Sequence, residues 1–191
     1  MPRAGLSAER VVQEAEVLAD EVGLGNVTLA ALAERLGVRQ PSLYKHVDGI
    51  DAVRRAISVR AKRELAEVLG RSAVGRSGED AVIAIAGAYR AWALEHPGRY
   101  AATVRAPDTG DGEDEAASLA AVEVVTDVLD GYGLSGDDAI DATRALRSAL
   151  HGFLSLEASG GFGLPVDVDR SFERMVLTIA AGLPDFSRAS V

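Results

Sequence analysis

Residues 28–47, TLAALAERLGVRQPSLYKHV, constrain the fold more than any other stretch of the chain. Leu29, Leu32, Ala33 and Leu36 recur at helical spacing, Thr28 is of a type that caps a helix N-terminus, and Gly37 supplies the left-handed residue at which a helix stops. Val38 and Arg39 then cross a tight turn. Pro41 falls in the first turn of a second short helix, where its missing N–H costs no hydrogen bond. Two short helices joined by a few residues that include Gly form the helix-turn-helix pattern.

In the second helix Leu43 and Val47 are the residues to bury, which leaves Gln40, Ser42, Tyr44, Lys45 and His46 pointing outward. An amide, a hydroxyl, a phenol, an ammonium and an imidazole on one face suit base edges and the phosphates beside them. The same groups would also serve as a merely solvated face in an ordinary helical protein. The wording separates the two readings. GVRQPSLYKHV resembles the recognition segment of the TetR/AcrR family of bacterial transcription repressors: a small turn, one or two polar residues, then Leu-Tyr-x-His and an apolar residue. With Gln40-Pro41-Ser42 it is especially similar to the tetracycline-repressor branch.

The resemblance implies DNA contact by Arg39, Gln40, Pro41, Ser42, Lys45 and His46, with Tyr44 and Thr28 holding the backbone. Two departures matter. Many members place a Lys at the start of the following helix, where this chain has Asp48-Gly49-Ile50, and the tetracycline repressor carries an Arg where this one has Ala30. Affinity is therefore expected either to lean more on Arg39, Lys45 and the Arg54/Arg55 pair or to be modest. Arg3 and Arg10, at the front of the first helix, are further candidates for phosphate.

A net charge of −9 argues against DNA only as an average. Up to Arg63 there are ten basic residues against eight acidic ones, and beyond it ten against twenty-one. A mildly basic first segment thus precedes an acidic body. No stretch reaches the ~20 apolar residues of a membrane span, and MPRAGLSAER lacks the apolar core of a signal peptide, so the expected location is the cytoplasm. There is no Cys, and the three His, at 46, 96 and 151, have no metal-ligand spacing; neither metal nor cofactor is expected.

Along the chain, Ser7 can cap a first helix with Val11, Ala15, Leu18, Ala19 and Val22 on one stripe, ending at Gly23. From Asp48 or Gly49 a helix runs to Gly70, and 71–78 reads as a loop. A capping signature at Ser77 opens a helix through Tyr89 and Trp92 that His96-Pro97-Gly98 breaks, and a short helix, 99–105, follows. The polar run 107–115 reads as an exposed loop, since its acids do not match calcium-loop spacing. Three more helices follow, from Glu115 to Gly131, over about 137–159 and over about 167–182. The helix over 137–159 shows a bulky stripe (Ile140, Leu146, Leu150, Phe153, Leu154) and a small one (Ala142, Ala145, Ala149, Gly152). That predicts an all-α fold of about nine helices: a DNA-reading domain over 1–48, and a ligand-binding and dimerisation domain over 49–191, with helix 49–70 linking them.

The family resemblance further implies a homodimer joined through the last two long helices, with the small-residue face and Phe172, Met175 and Ile179 as candidate surfaces. It implies a repressor of a palindromic operator, controlled by a small-molecule effector in the C-terminal domain. Tyr89, Trp92, His96, Tyr100, His151, Phe153 and Phe162 are the residues available to line that site. Few aromatics among many Ala, Val and Leu suggest a mostly apolar, fairly small ligand. The segment ALHGFLSLE resembles a subgroup in which a Trp precedes a His-Gly pair; His151-Gly152 stands here, with Leu146 and Arg147 in the place of the Trp.

Two other classes stay open from the residues alone. One is a helical interaction module with a structural helix-turn-helix. The other, an all-helical enzyme, is disfavoured, because the sequence holds no G-x-S-x-G, P-loop, H-E-x-x-H or G-x-G-x-x-G.

Overall fold

In the computed structural model, residues 6–188 are described, and over them the chain forms nine α-helices and no strand. They are α1 (Ala8–Val22), α2 (Leu29–Leu36), α3 (Gln40–Leu43), α4 (Ile50–Ala73), α5 (Gly78–Glu95), α6 (Pro97–Thr103), α7 (Gly112–Asp130), α8 (Gly136–Ala158) and α9 (Val168–Gly182). Short 3-10 turns occupy Leu24–Asn26 and Leu183–Arg188. The described residues group into two compact units: one holds those up to Arg63 together with Glu95–Ser118, the other Glu64–Leu94 and the residues from Leu119 on. The unit with the helix-turn-helix therefore also contains α6 and the head of α7, which lie far from it in sequence.

Local chemistry sets the helix ends of the first unit. The Ser7 hydroxyl accepts from the Arg10 N–H at 3.2 Å and the Thr28 hydroxyl from the Ala31 N–H at 3.1 Å, each satisfying a donor that the helix itself leaves orphaned. Gly37 ends α2 at φ 66°, a left-handed conformation that costs Gly nothing. The apolar stripes then close on one another. Val11, Ala15 and Ala19 of α1, Leu32 of α2, Leu43 of α3, and Val53 and Ile57 of α4 are fully buried in one cluster, which Ala102 of α6 joins. Leu18 is buried there too, and Leu36 packs against the edge; Val22, at the end of the expected stripe, is exposed.

Charges fasten the head of α7 to α4 within this unit. Lys62 Nζ donates to Asp114 Oδ1 at 2.6 Å, and both side chains are less than a tenth exposed. Arg55 pairs with Asp111 and, at 3.1 Å, with Glu113, which also takes Arg63 at 3.2 Å. Asp111 in addition accepts from the Asp114 N–H at 3.2 Å, capping α7. The segment that reads as an exposed loop is thus in part an ion-paired helix start, and α4 likewise runs three residues past Gly70. Hydrogen bonding from Arg55 holds the Asp111 carboxyl down at about 2. A carboxyl lowered on folding stabilises above its unfolded value near 4 and stops doing so as pH falls through its folded value. The stability lent by the Asp111 carboxyl is expected to be whole above about pH 4 and to drain away towards pH 2. In Asp111→Asn, acid titration of helicity should lose part of that slope between those values; an identical profile would contradict it.

In the second unit, Ala142, Leu146, Leu150 and Leu154 of α8 are buried, as are Phe172, Val176 and Ala180 of α9 and Val82, Ile85 and Trp92 of α5. Arg90 of α5 ties the other two helices together. Its Nε donates to Glu157 Oε2 on α8 at 2.9 Å and its Nη2 to Asp169 Oδ1 on α9 at 2.7 Å.

Candidate nucleic-acid interface

α3 is a single α-helical turn. A further turn follows, in which the Leu43 carbonyl accepts from the N–H groups of His46 and Val47, at 2.8 and 3.0 Å. Leu43 anchors it, fully buried, and Val47 packs against the same core. With that one face fixed, Arg39, Gln40, Pro41, Tyr44 and Lys45 are exposed, while Ser42 and His46 are half-buried. An amide, a phenol and two cations thus stand on one short, rigidly seated element, the combination that phosphate positioning and base-edge readout require. Thr28 serves through its cap, which pins the start of α2.

Other cations near this element are spent on the scaffold. Arg54 donates to the carbonyls of Gly25 and Val27, at 3.3 and 3.2 Å, and so pins the chain entering α2. Arg55 is held by Asp111 and Glu113. Of the pair expected to aid DNA affinity, Arg54 thus braces the chain entering α2 and Arg55 braces the head of α7. Arg10 is exposed beside Glu14, at 3.7 Å, and Arg3 lies outside the described residues. Sequence reasoning missed Arg35, which joins α2 to α1 through Glu14 at 3.0 Å and Glu21 at 2.6 Å; the readable signal was the seven-residue spacing of those acids on one face of α1.

Of the residues expected to line an effector site, His96 and Tyr100 fall in the first unit and the other five in the second. His96 caps α6, and Tyr100 lies on α6 in the first unit. Trp92 is buried on α5, and Tyr89 and His151 are half-buried on α5 and α8. Phe153 does come together with Phe162, ring centroids 4.7 Å apart, and with Phe172 at 5.2 Å. The second unit holds a cleft of about 600 Å³ lined by other residues, Ile83, Gly87 and Leu94 on α5 and Phe172, Val176 and Leu177 on α9. No group of residues suited to a metal ion occurs among the described residues.

Comparison with known proteins agrees with this geometry. Residues 11–57 match the pattern of the bacterial regulatory proteins of the tetR family, and residues 82–179 that of the tetracyclin repressor-like C-terminal domain. The chain belongs to the TetR family. Among its relatives, it is 44% identical over 181 residues to Rv0681 of Mycobacterium tuberculosis, covering 94% of this chain and 83% of that one. It is 38% identical over 184 residues to YobS of Bacillus subtilis, covering 95% of each. Both are described as HTH-type transcriptional regulators. Among solved structures, a TetR variant from Acinetobacter baumannii, crystallised with minocycline, aligns with a TM-score of 0.70 at 26% identity over 98% of this chain and 99% of that one. This TetR-family protein is thus a DNA-binding transcriptional regulator of the helix-turn-helix type.

Proposed function

We propose that the protein is a cytoplasmic repressor that binds a palindromic operator as a homodimer and is released from it by a small-molecule effector. The observation that carries the reading is the exposed row Arg39, Gln40, Tyr44 and Lys45 on an element seated by the fully buried Leu43. In this reading Gln40 reads a base edge in the major groove, and Arg39 and Lys45 hold phosphates. A recognition element this short covers only a few base pairs, so two copies are needed, with half-sites about one helical turn apart. The acidic surplus beyond Arg63 turns the rest of the surface away from the duplex. Binding should weaken steeply with salt, and Lys45→Ala should weaken it for every sequence and flatten the salt slope by about one unit. Fluorescence anisotropy over a salt series checks this; a slope unchanged in the variant removes Lys45 from the interface.

The division of labour between residues 1–48 and 49–191 belongs to the same proposal: the first reads DNA, and the second binds effector and partner. For the partner, the small-residue face of α8 is the candidate. Of its four residues Ala145 and Gly152 are exposed, Ala149 is half-buried and Ala142 is taken by the chain's own core; on α9 Met175 and Ile179 are half-buried and Phe172 is likewise in the core. Small side chains let a second helix approach closely. A Cβ on Gly152 would meet no other part of the chain within 4 Å, so the side chain of Gly152→Arg starts from open space on the protomer. In a dimer it would bury an unpaired charge, at a cost of several kcal/mol. Sedimentation should therefore show a dimeric wild type and a monomeric Gly152→Arg; a monomeric wild type, or a variant that stays dimeric, rules this surface out.

A minocycline-bound relative and the matched C-terminal domain support control by a small molecule. Differential affinity does the work: a tenfold loss of DNA binding needs about 1.4 kcal/mol of preference for the non-binding conformation.

A further inference from the structure

The cleft between α5 and α9 combines two properties that point to one class of ligand. Its walls are apolar. Ile83, Gly87, Ala91 and Leu94 form one stripe along α5, and Phe172, Val176 and Leu177 face it from α9. Ile83, Leu94 and Leu177 are 39%, 47% and 41% exposed, so this apolar surface stands open to water. The volume of about 600 Å³ falls within the range of roughly 300–1,000 Å³ that small-molecule sites occupy.

Its polar end is acidic. Arg90 is the cation there, and its charge is already committed: both oxygens of Glu157 and one of Asp169 accept from it, and its guanidinium lies 4.8 Å from the centre of the Phe172 ring. Asp169 and Glu173 line the rim itself, and Glu157 stands behind Arg90. The lining thus carries two carboxylates against one guanidinium, an excess of one negative charge, and that guanidinium is already paired with Glu157. An anion entering the cleft would have to displace a carboxylate from Arg90 and would face the others. A neutral apolar molecule would gain only the walls. A cation with an apolar body gains both the walls and the rim, where Glu173 stands beside Asp169, whose side chain is 77% exposed and gives one oxygen to Arg90.

We propose that this cleft is the effector site and that the effector is a small organic cation carrying apolar rings or a short apolar chain. The effector role rests on the ligand-controlled reading above; the binding itself does not.

Tetraphenylphosphonium and tetraphenylborate are matched probes, nearly equal in shape and opposite in charge. Calorimetric titration of the full-length protein should show the phosphonium binding at least about tenfold more tightly than the borate. Neutralising the rim in Asp169→Asn/Glu173→Gln should weaken phosphonium binding by about fivefold to tenfold, the scale of two partly exposed charge contacts. Gly87→Leu should abolish it, since a side chain there meets nothing within 4 Å and would fill the cleft. Circular dichroism establishes that Gly87→Leu is folded, and the rim variant, altered only at the surface, keeps the test intact if it is not.

Equal affinity for the two ions, binding of neither (as when a second copy covers the cleft), or phosphonium binding that survives Gly87→Leu overturns the proposal. The same samples are then followed on operator DNA by anisotropy. Release by the phosphonium in wild type but not in Gly87→Leu supports the effector role, and specific binding without release overturns it. A protein that binds the phosphonium but no duplex DNA under any condition fails the regulator reading instead.

Discussion

Gly98→Ala is expected to lower the melting temperature by about 10 °C, the equivalent of about 3 kcal/mol or more for a chain of this size. Gly98 is buried at the second position of α6, where the helix lies directly on α1. A Cβ built there would sit 1.9 Å from the Ala19 carbonyl oxygen, 2.0 Å from its carbon and 2.6 Å from the Asp20 nitrogen. These are backbone atoms of an intact helix, so no rotamer change relieves the clash, and α6 must move away as a body. Moving it breaks further interactions. Asp20 accepts from the Arg99 N–H at 2.8 Å and from Arg99 Nε at 2.7 Å, Ser58 donates to the Ala102 carbonyl at 2.9 Å, and Ala102 leaves the core. Gly87→Ala is the matched control: a Cβ there meets nothing within 4 Å of the α5 interior, and the better helix former should raise stability by up to about 1 kcal/mol. Thermal melts of the two variants should shift in opposite directions. Equal shifts, or an unshifted Gly98→Ala, would rule out the close approach of α6 to α1.

Asp114→Ala should destabilise by about 3–5 kcal/mol, because it leaves the buried Lys62 ammonium without its partner. The buried pair itself is weak evidence for net stabilisation, since both ions lose their hydration. Lys62→Met/Asp114→Leu should therefore recover most of the loss, as well-packed apolar residues often replace such a pair at little cost. Denaturant unfolding of the single and double variants separates the two effects. A single variant within about 0.5 kcal/mol of wild type would mean that water reaches the ammonium.

The helix-turn-helix was legible because each of its steps is local. Thr28 caps, Gly37 stops, Pro41 starts and Leu43 anchors, and the structure realises each within a few residues of chain. The other helices could be read from their apolar spacing for the same reason. What the sequence concealed lies at long range. Nothing near Asp111 and Asp114 in sequence says that their partners are Arg55 and Lys62, more than fifty residues earlier, so an acidic run read as an exposed loop. Arg54 and Arg55 looked like a basic face because the carbonyls and carboxylates that hold them come from elsewhere in the fold. Gly98 read as a helix breaker, when its missing side chain is what lets α6 lie on α1. The effector candidates were five aromatics with His96 and His151 as polar groups, whereas the cleft proposed above is walled mostly by aliphatic residues and marked by charge.

The central claim is that the α3 element, with Gln40 at its start, reads the sequence of DNA. Selection of preferred sites from random duplexes by wild type and by Gln40→Ala tests it most directly. Wild type should enrich a palindrome with half-sites about one turn apart. Gln40→Ala should lose preference at one or two positions in each half-site, worth ~1–3 kcal/mol for each bidentate amide–base pairing, while keeping the rest. Identical preferences in the two proteins, or no enrichment by wild type, would contradict it.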